Sequence, residues 1–481
     1  MRRMIRRAGT AAATGLAIAC VATAPIAARS PVKVPEPPRP PNVVVFLADD
    51  LGYGDVRFNA PGDYATPNMD RLAREGVTFT QGYVTAAVCS PSRAAIMTGR
   101  YQARSGHDFN FPEQRGASVS LPRTEPTLAE RLVRLGYDTA LIGKWHLGIV
   151  PGYRAEDRGF NQALVFSEGN VFIRRPSAGD SLIRFKAEGD RTARPWELRL
   201  NGTSVEEDGY LTEITTRRSV DFIQHASSEK PFFLVVSHHA PHVPVEATAR
   251  YMDKVPGITN APHRTYAAMV TALDDSWAEI DRALRARGFD RNTIVVLLSD
   301  NGCPEYVEGA CSNGGLAGFK RDLREGGIRV PLVVRWPHHA RAGARVPEPV
   351  SSLDAAATIL DAAGWRRDDG PRPDGVSLRA LLKGKSAPLH DHLFWRAGDN
   401  YAVREGRWKL ISMLSGGAPR AFLYDLQSDP SESHDLAAAN PKIVRRLQTV
   451  YAAWNAGNPP PQARPRSLDA DYHGTPVTLQ F

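Results

Sequence analysis

Four stretches of the chain are apolar almost without interruption: Asn42–Ala48, Thr139–Ile142, Phe232–Ser237 and Thr293–Ser299. Their β-branched runs lack the alternation of a strand with one wet face. They predict strands buried on both sides, as in a parallel sheet. Val330–Trp336 predicts a fifth strand despite Pro331. Between these runs, apolar residues recur at helical spacing. Pro67–Glu75 starts on a proline, and Thr127–Leu135 places Leu128, Leu132 and Leu135 on one face before stopping at Gly136. Tyr210–Ala226 and Arg264–Arg287 predict longer helices. Strands alternating with helices predict an α/β fold, a large, mostly parallel sheet flanked by helices.

The pattern changes near residue 385. His392–Arg396, Tyr401–Arg404, Trp408–Ser412 and Phe422–Tyr424 read as short, closely spaced strands, and Pro441–Trp454 as an amphipathic helix. This predicts a small antiparallel sheet with one helix. The expected organisation is an export segment over 1–28, a Pro-rich linker over 29–41, and an α/β domain over 42–385. A small α+β subdomain over 386–458 and an irregular Pro-rich tail over 459–481 complete it.

Residues 1–28 begin with Arg2, Arg3, Arg6 and Arg7, continue into an Ala-rich apolar stretch and end in small residues. This is the layout of an export signal, and it falls short of the about 20 apolar residues that span a bilayer. Ala17-Ile18-Ala19-Cys20 weakly resembles a lipidation site at Cys20. The chain is therefore expected to be exported, periplasmic or secreted, with a lipid anchor at Cys20 left open and no transmembrane helix. The 481 residues are 42% hydrophobic and 23% charged, which excludes a disordered or fibrous protein. The net charge is +8, and loss of the four leading arginines halves it. No long basic block remains, so nucleic-acid binding is not expected.

In open α/β sheets, ligands sit beyond the carboxyl ends of the strands. Asn42–Ala48 is followed by Asp49 and Asp50, and Thr293–Ser299 by Asp300 and Asn301. Three carboxylates and an amide oxygen form an all-oxygen set that suits a hard cation, Ca²⁺ or Mg²⁺. Thr139–Ile142 leads to Lys144 and His146, and Phe232–Ser237 leads to His238, His239 and His242. Lys144, His146, His242 and Lys320 all lie in turns or Gly-dense loops, where functional groups concentrate.

Cys89 precedes Pro91, which suits a first helical turn, and Ala94–Thr98 can continue the helix. Taken alone, Cys89 at the positive end of a helix reads either as an activated thiol or as an ordinary buried cysteine. Cys303 and Cys311 could close a short disulfide loop.

Cys89-Ser90-Pro91-Ser92-Arg93 with Thr98-Gly99-Arg100 resembles the signature of the type I sulfatases, in the alkaline phosphatase superfamily. Gly136-Tyr137-Asp138-Thr139-Ala140-Leu141-Ile142-Gly143-Lys144-Trp145-His146-Leu147-Gly148 resembles that family's second signature. Asp49–Asp55, Thr66–Asp70, Ala240-Pro241-His242, Ser299–Gly302, Lys320 and Glu325–Pro331 agree as well, as do Leu423–Leu426 and Asp429-Pro430. The resemblance runs over residues 42–456.

It implies an alkaline phosphatase-like sheet and hydrolysis of a sulfate ester, on a carbohydrate or aryl sulfate, to an alcohol and inorganic sulfate. It implies oxidation of Cys89 to formylglycine (3-oxoalanine) by a formylglycine-generating enzyme or an equivalent. The hydrated aldehyde would attack sulfur and release sulfate through its second hydroxyl. One Ca²⁺, in preference to Mg²⁺, would be held by Asp49, Asp50, Asp300, Asn301 and residue 89. Arg93 and Lys144 would stabilise the hydrate and the sulfate, and His146 would act as base. His242 and Lys320 would contact the sulfate, and either could protonate the leaving oxygen. His238, His239 and His263 are expected in structural roles. His107, Asp108 and the 166–200 insertion could shape a leaving-group pocket or form a surface loop. A phosphonate monoester or phosphodiester hydrolase, a sulfamidase and a non-catalytic binding protein are the rival readings.

Overall fold

Asn42–Ala48 lies at the heart of a ten-stranded sheet, in a computed structural model that describes residues 39–481 except 111–115, 117, 168–171, 184–196, 308 and 367–369. The export segment 1–28, Cys20 and linker residues 29–38 lie outside the described residues, as does much of the 166–200 insertion. Asn42–Ala48 pairs in parallel with Thr293–Ser299 on one side and Phe232–Ser237 on the other. Asp138–Lys144 and then Gln162–Ser167 continue the parallel run. Antiparallel strands extend both flanks: Leu332–Arg335 beside Thr293–Ser299, and Glu197–Leu200 beside Gln162–Ser167. The strand at Leu332–Arg335 starts only after Pro331, which has no N–H to give a ladder. The strands Gln162–Ser167, Glu197–Leu200 and Thr203–Val205 are additional to those expected; they are short or mix polar with apolar residues, which hides the pattern.

Both faces of the central strand are buried. Val44, Phe46 and Ala48 join one core cluster, while Val43, Val45 and Leu47 join the other. Helices Leu211–His225 and Ala261–Ala286 cover the first face; Cys89–Thr98, Leu128–Arg134 and Ser352–Ala362 cover the second. Thr127 caps Leu128–Arg134 reciprocally with Glu130. Cys89–Thr98 ends at Gly99, whose φ of 70° is the left-handed conformation that closes helices.

The second sheet contains Leu393–Ala397, Asn400–Glu405, Trp408–Ser415 and Ala418–Asp425, with helix Pro441–Asn455 packed on it through Leu447 and Tyr451. The expected irregular tail is corrected here. Ser467–Tyr472 and Thr475–Gln480 form a hairpin that joins this sheet, and Tyr472, Val477 and Leu479 enter its core. Alternation in Thr475–Gln480 accounts for it, with Val477 and Leu479 turned inward and Pro476 on the exposed side. Lys409 on this sheet lies 2.9 Å from both Glu325 and Glu432, all three fully buried. Among the described residues, no helix is long and apolar enough to cross a membrane.

Candidate active site

Strand register assembles the site. Ala48 is level with Ser299, Leu47 with Ser237, and Ser237 with Gly143. The residues after each strand therefore emerge together. Asp49, Asp50, Asp300 and Asn301 are fully buried there. Asp50 adopts a left-handed φ of 66°, an uncommon conformation for a residue with a side chain. Gly143 lets two strand ends approach: a Cβ there would sit 1.9 Å from the Ser237 carbonyl oxygen.

The helix Cys89–Thr98 aims its first residue at this group. Cys89 Sγ lies 3.5 Å from Asp49 Oδ1 and 4.0 Å from Asp50 Oδ1. One turn on, Arg93 donates from Nε to Asp300 Oδ2 at 2.7 Å and from Nη1 to the Lys144 carbonyl and Ser237 Oγ. Lys144 Nζ donates to Asp49 Oδ2 at 2.6 Å, and Lys320 Nζ to Asp50 Oδ2 at 2.8 Å. His242 Nε2 is 3.6 Å from the same Asp50 oxygen, and its Nδ1 meets the Val243 carbonyl at 2.6 Å. His146 is placed by its carbonyl, which accepts a 2.8 Å bond from Ser90 Oγ beside Cys89. The cluster opens toward the histidines, since Asp50 is 0% exposed and the His242 side chain 18%.

Burial is the largest influence on every group. It opposes ionisation of Asp49, yet Lys144, His242 and Arg93 overcome it and hold that carboxyl well below the usual range. Asp50 is likewise lowered, against burial, chiefly by Lys320. For Asp300, burial and the neighbouring Asp49 prevail over Arg93 and Lys144, and its pKa rises to about 6. Burial pushes the Cys89 thiol up to about 12, so the activated-thiol reading is corrected: burial outweighs the helix end and nearby lysines. Burial, with Lys144 and Arg93, keeps His146 neutral, and burial with Lys320 lowers His242.

The residues fit a divalent cation. Asp49, Asp50, Cys89 and His242 offer ligand atoms within 4.8 Å of one another. Asn301 donates from Nδ2 to Asp50 Oδ1 at 2.7 Å, which leaves its buried Oδ1 without a hydrogen-bond partner. A third carboxylate whose pKa burial and Asp49 raise to about 6 despite Arg93, plus a spare buried oxygen, is a set short of positive charge.

His239, expected in a structural role, lies beside the site. Its Nδ1 lies 3.5 Å from Asp49 Oδ2, and its ring packs on Phe172 at 4.2 Å and Phe166 at 4.8 Å. Only the fold reveals this, because Phe166 lies near the end of Gln162–Ser167, two places along the sheet from Phe232–Ser237. His107 and Asp108 form neither a pocket nor a surface loop. Both are buried; His107 Nε2 meets Ser90 Oγ at 2.7 Å, and Asp108 forms a two-pronged pair with Arg396 of the second sheet. His238 bonds Ser276, and His263 lies beside Asp63, both away from the cluster. Cys303 and Cys311 form a disulfide. Tyr306, which nothing in the local sequence marks, donates to Asp50 Oδ2 at 3.3 Å.

Residues 41–365 match the Sulfatase family, and residues 318–450 match the N-sulphoglucosamine sulphohydrolase C-terminal family. The chain is 33% identical to N-acetylgalactosamine-6-sulfatase of Mus musculus over 77% of this chain and 72% of that protein. It is 30% identical to arylsulfatase A of Homo sapiens over 86% of this chain and 87% of that protein. Its structure is similar to Ps i-CgsB in complex with k-i-k-neocarrahexaose, with a TM-score of 0.79, 32% identity, and coverage of 88% and 94% of the two chains. The phosphonate monoester hydrolase of Agrobacterium radiobacter, at 20% identity, TM-score 0.65 and coverage of 91% and 99%, shares the fold alone.

Proposed function

The chain belongs to the sulfatase family and hydrolyses sulfate esters, and we propose that residue 89, matured from cysteine to formylglycine, and a Ca²⁺ held by Asp49, Asp50, Asp300 and Asn301 form its catalytic centre. The observation that carries this reading is the position of Cys89, 3.5 Å from Asp49 Oδ1 at the meeting point of four strand ends. A thiol raised to about 12 is a poor nucleophile there, in keeping with a site built for a different group at residue 89. When present, the hydrated aldehyde supplies a hydroxyl nucleophile and the cation polarises the sulfate.

The remaining roles follow from contacts. Arg93 ties the Asp300 strand end to the Lys144 strand end, and its buried Nη2, 3.6 Å from Asp49 Oδ2 and without a hydrogen-bond partner, is placed to donate to an oxygen on residue 89. Lys144 and Lys320 each hold one metal-binding carboxylate and bring positive charge against the three sulfate oxygens. His146, neutral and with a buried unpartnered Nδ1, is suited to take a proton from residue 89. His242 stands at the mouth, where the leaving alcohol departs. His242 or Lys320 gives that alcohol its proton.

We assign the substrate to sulfated saccharides. N-acetylgalactosamine-6-sulfatase and the neocarrahexaose-bound Ps i-CgsB support this, each above 30% identity. Export through residues 1–28 is supported by the Cys303–Cys311 disulfide, which persists in oxidising compartments. A formylglycine-generating enzyme or equivalent is then a required partner.

Mass spectrometry of the peptide containing residue 89, with sulfate release measured on the same preparation, tests the proposal. An aldehyde in place of the thiol, and loss of turnover in Cys89→Ala, are expected. Full activity from an unmodified thiol overturns it. Release from N-sulfated but not O-sulfated glucosamine would assign a sulfamidase instead.

A further inference from the structure

Lys320 is separated from the strand-end carboxylates by a loop closed by the Cys303–Cys311 disulfide, and that loop holds it at several points. The Lys320 backbone N–H donates to the Cys303 carbonyl at 2.9 Å. Its Nζ donates to Tyr306 Oη at 3.4 Å, and Tyr306 Oη in turn donates to Asp50 Oδ2 at 3.3 Å. The next residue, Arg321, pairs with Glu305 at 2.5 Å and stacks over the Tyr306 ring at 5.0 Å. Tyr306 itself is buried, on a short helical turn, Glu305–Val307.

We infer that Tyr306, held by the Cys303–Cys311 loop, is a positioning residue that sets Lys320 against Asp50 and thereby shapes the sulfate subsite. The inference rests on the proposed role of Lys320 in binding sulfate. Lysine carries its charge on a flexible stem, so its direction is set by its partners. Lys320 and Tyr306 converge on a single oxygen, Asp50 Oδ2, while Asp50 Oδ1 is left facing Asn301 and Cys89. The Tyr306 hydroxyl thus joins Lys320 in drawing Oδ2 to the cationic side, which leaves Oδ1 to the nucleophile side. The disulfide lies immediately after Asp300-Asn301-Gly302, so it also limits how far the Tyr306 turn can swing from the site.

The test uses the full-length mature enzyme and the inhibition constant of inorganic sulfate. That constant is independent of the fraction of molecules that are active, so partial loss of folded or matured enzyme leaves it unmoved. Tyr306→Phe is expected to raise it by about tenfold, the order expected for one hydrogen bond within a charged group, with kcat/KM falling in step. The Cys303→Ala/Cys311→Ala pair is expected to raise it similarly, and the triple variant to add nothing further, because both changes act through one ring. An unchanged constant in Tyr306→Phe overturns the inference, as do multiplicative losses in the triple variant. If the cysteine pair fails to fold, Tyr306→Phe alone decides. Wild-type enzyme that is not inhibited by sulfate would instead count against the proposed role of Lys320.

Discussion

Asp50 donates its backbone N–H to Asp300 Oδ1 at 3.2 Å across 250 residues of sequence. Ala48 and Ser299 are register partners, so the carboxylates after them cannot separate without breaking the central pair of strands. The proposed metal centre is therefore built into the most buried part of the sheet, and its geometry is as rigid as the core itself.

Asp300 makes metal affinity dependent on pH. Burial and Asp49 raise its pKa to about 6, and a cation needs the carboxylate form. The Ca²⁺ concentration for half-maximal activity should therefore rise as pH falls through 6. Chelation should abolish turnover and Ca²⁺ should restore it. Asp300→Ala should weaken Ca²⁺ binding by about tenfold or more, measured by calorimetric titration.

His242 and Lys320 can be separated by leaving group. Loss of a general acid costs about 10²–10⁴ in rate, and most where the departing alcohol is basic. The variant lacking the acid, His242→Gln or Lys320→Met, should lose far more kcat on an alkyl sulfate than on a nitrophenyl sulfate. The other variant should lose both alike. A series of aryl and sugar sulfates reads the difference.

Lys409 is the cation between buried Glu325 and Glu432. Lys409→Met leaves two carboxylates buried together and should destabilise the fold by about 3–5 kcal/mol. Burial, opposed by Lys409 and reinforced by Glu325, lifts Glu432 to about 7, so Glu432→Gln should be far milder. Urea unfolding of both variants checks the order.

His238 should contribute to acid sensitivity. Burial lowers its pKa from 6.5 to about 3. Between those values the unfolded state binds a proton that the folded state does not, so stability falls as pH falls from 6.5, by up to about 1.4 kcal/mol per pH unit. His238→Asn should flatten this part of the stability curve in urea titrations from pH 6.5 to 4.

The strands Asn42–Ala48, Phe232–Ser237 and Thr293–Ser299 were legible to the residue, because burial on both faces gives each an unbroken apolar run bounded by polar residues. Ser467–Tyr472 was not, since it alternates charged and small residues on an exposed strand and is stabilised by the hairpin it joins. The place of His239, 3.5 Å from Asp49, was hidden for a related reason. A histidine after a strand has no local feature that distinguishes a turn from a site; the aromatic wall of Phe166 and Phe172 does so, and it comes from elsewhere in the chain.

The sequence by itself determined the strand cores, the groups that follow them and the family, because periodicity and motif spacing are local properties of the chain. Tertiary structure alone decided that Cys89 is a suppressed thiol, that Tyr306 reaches Asp50, and that Asp300 is the least ionised of the three carboxylates. Desolvation and charge coupling depend on which distant residues share a low-dielectric space, and linear order does not encode that distance.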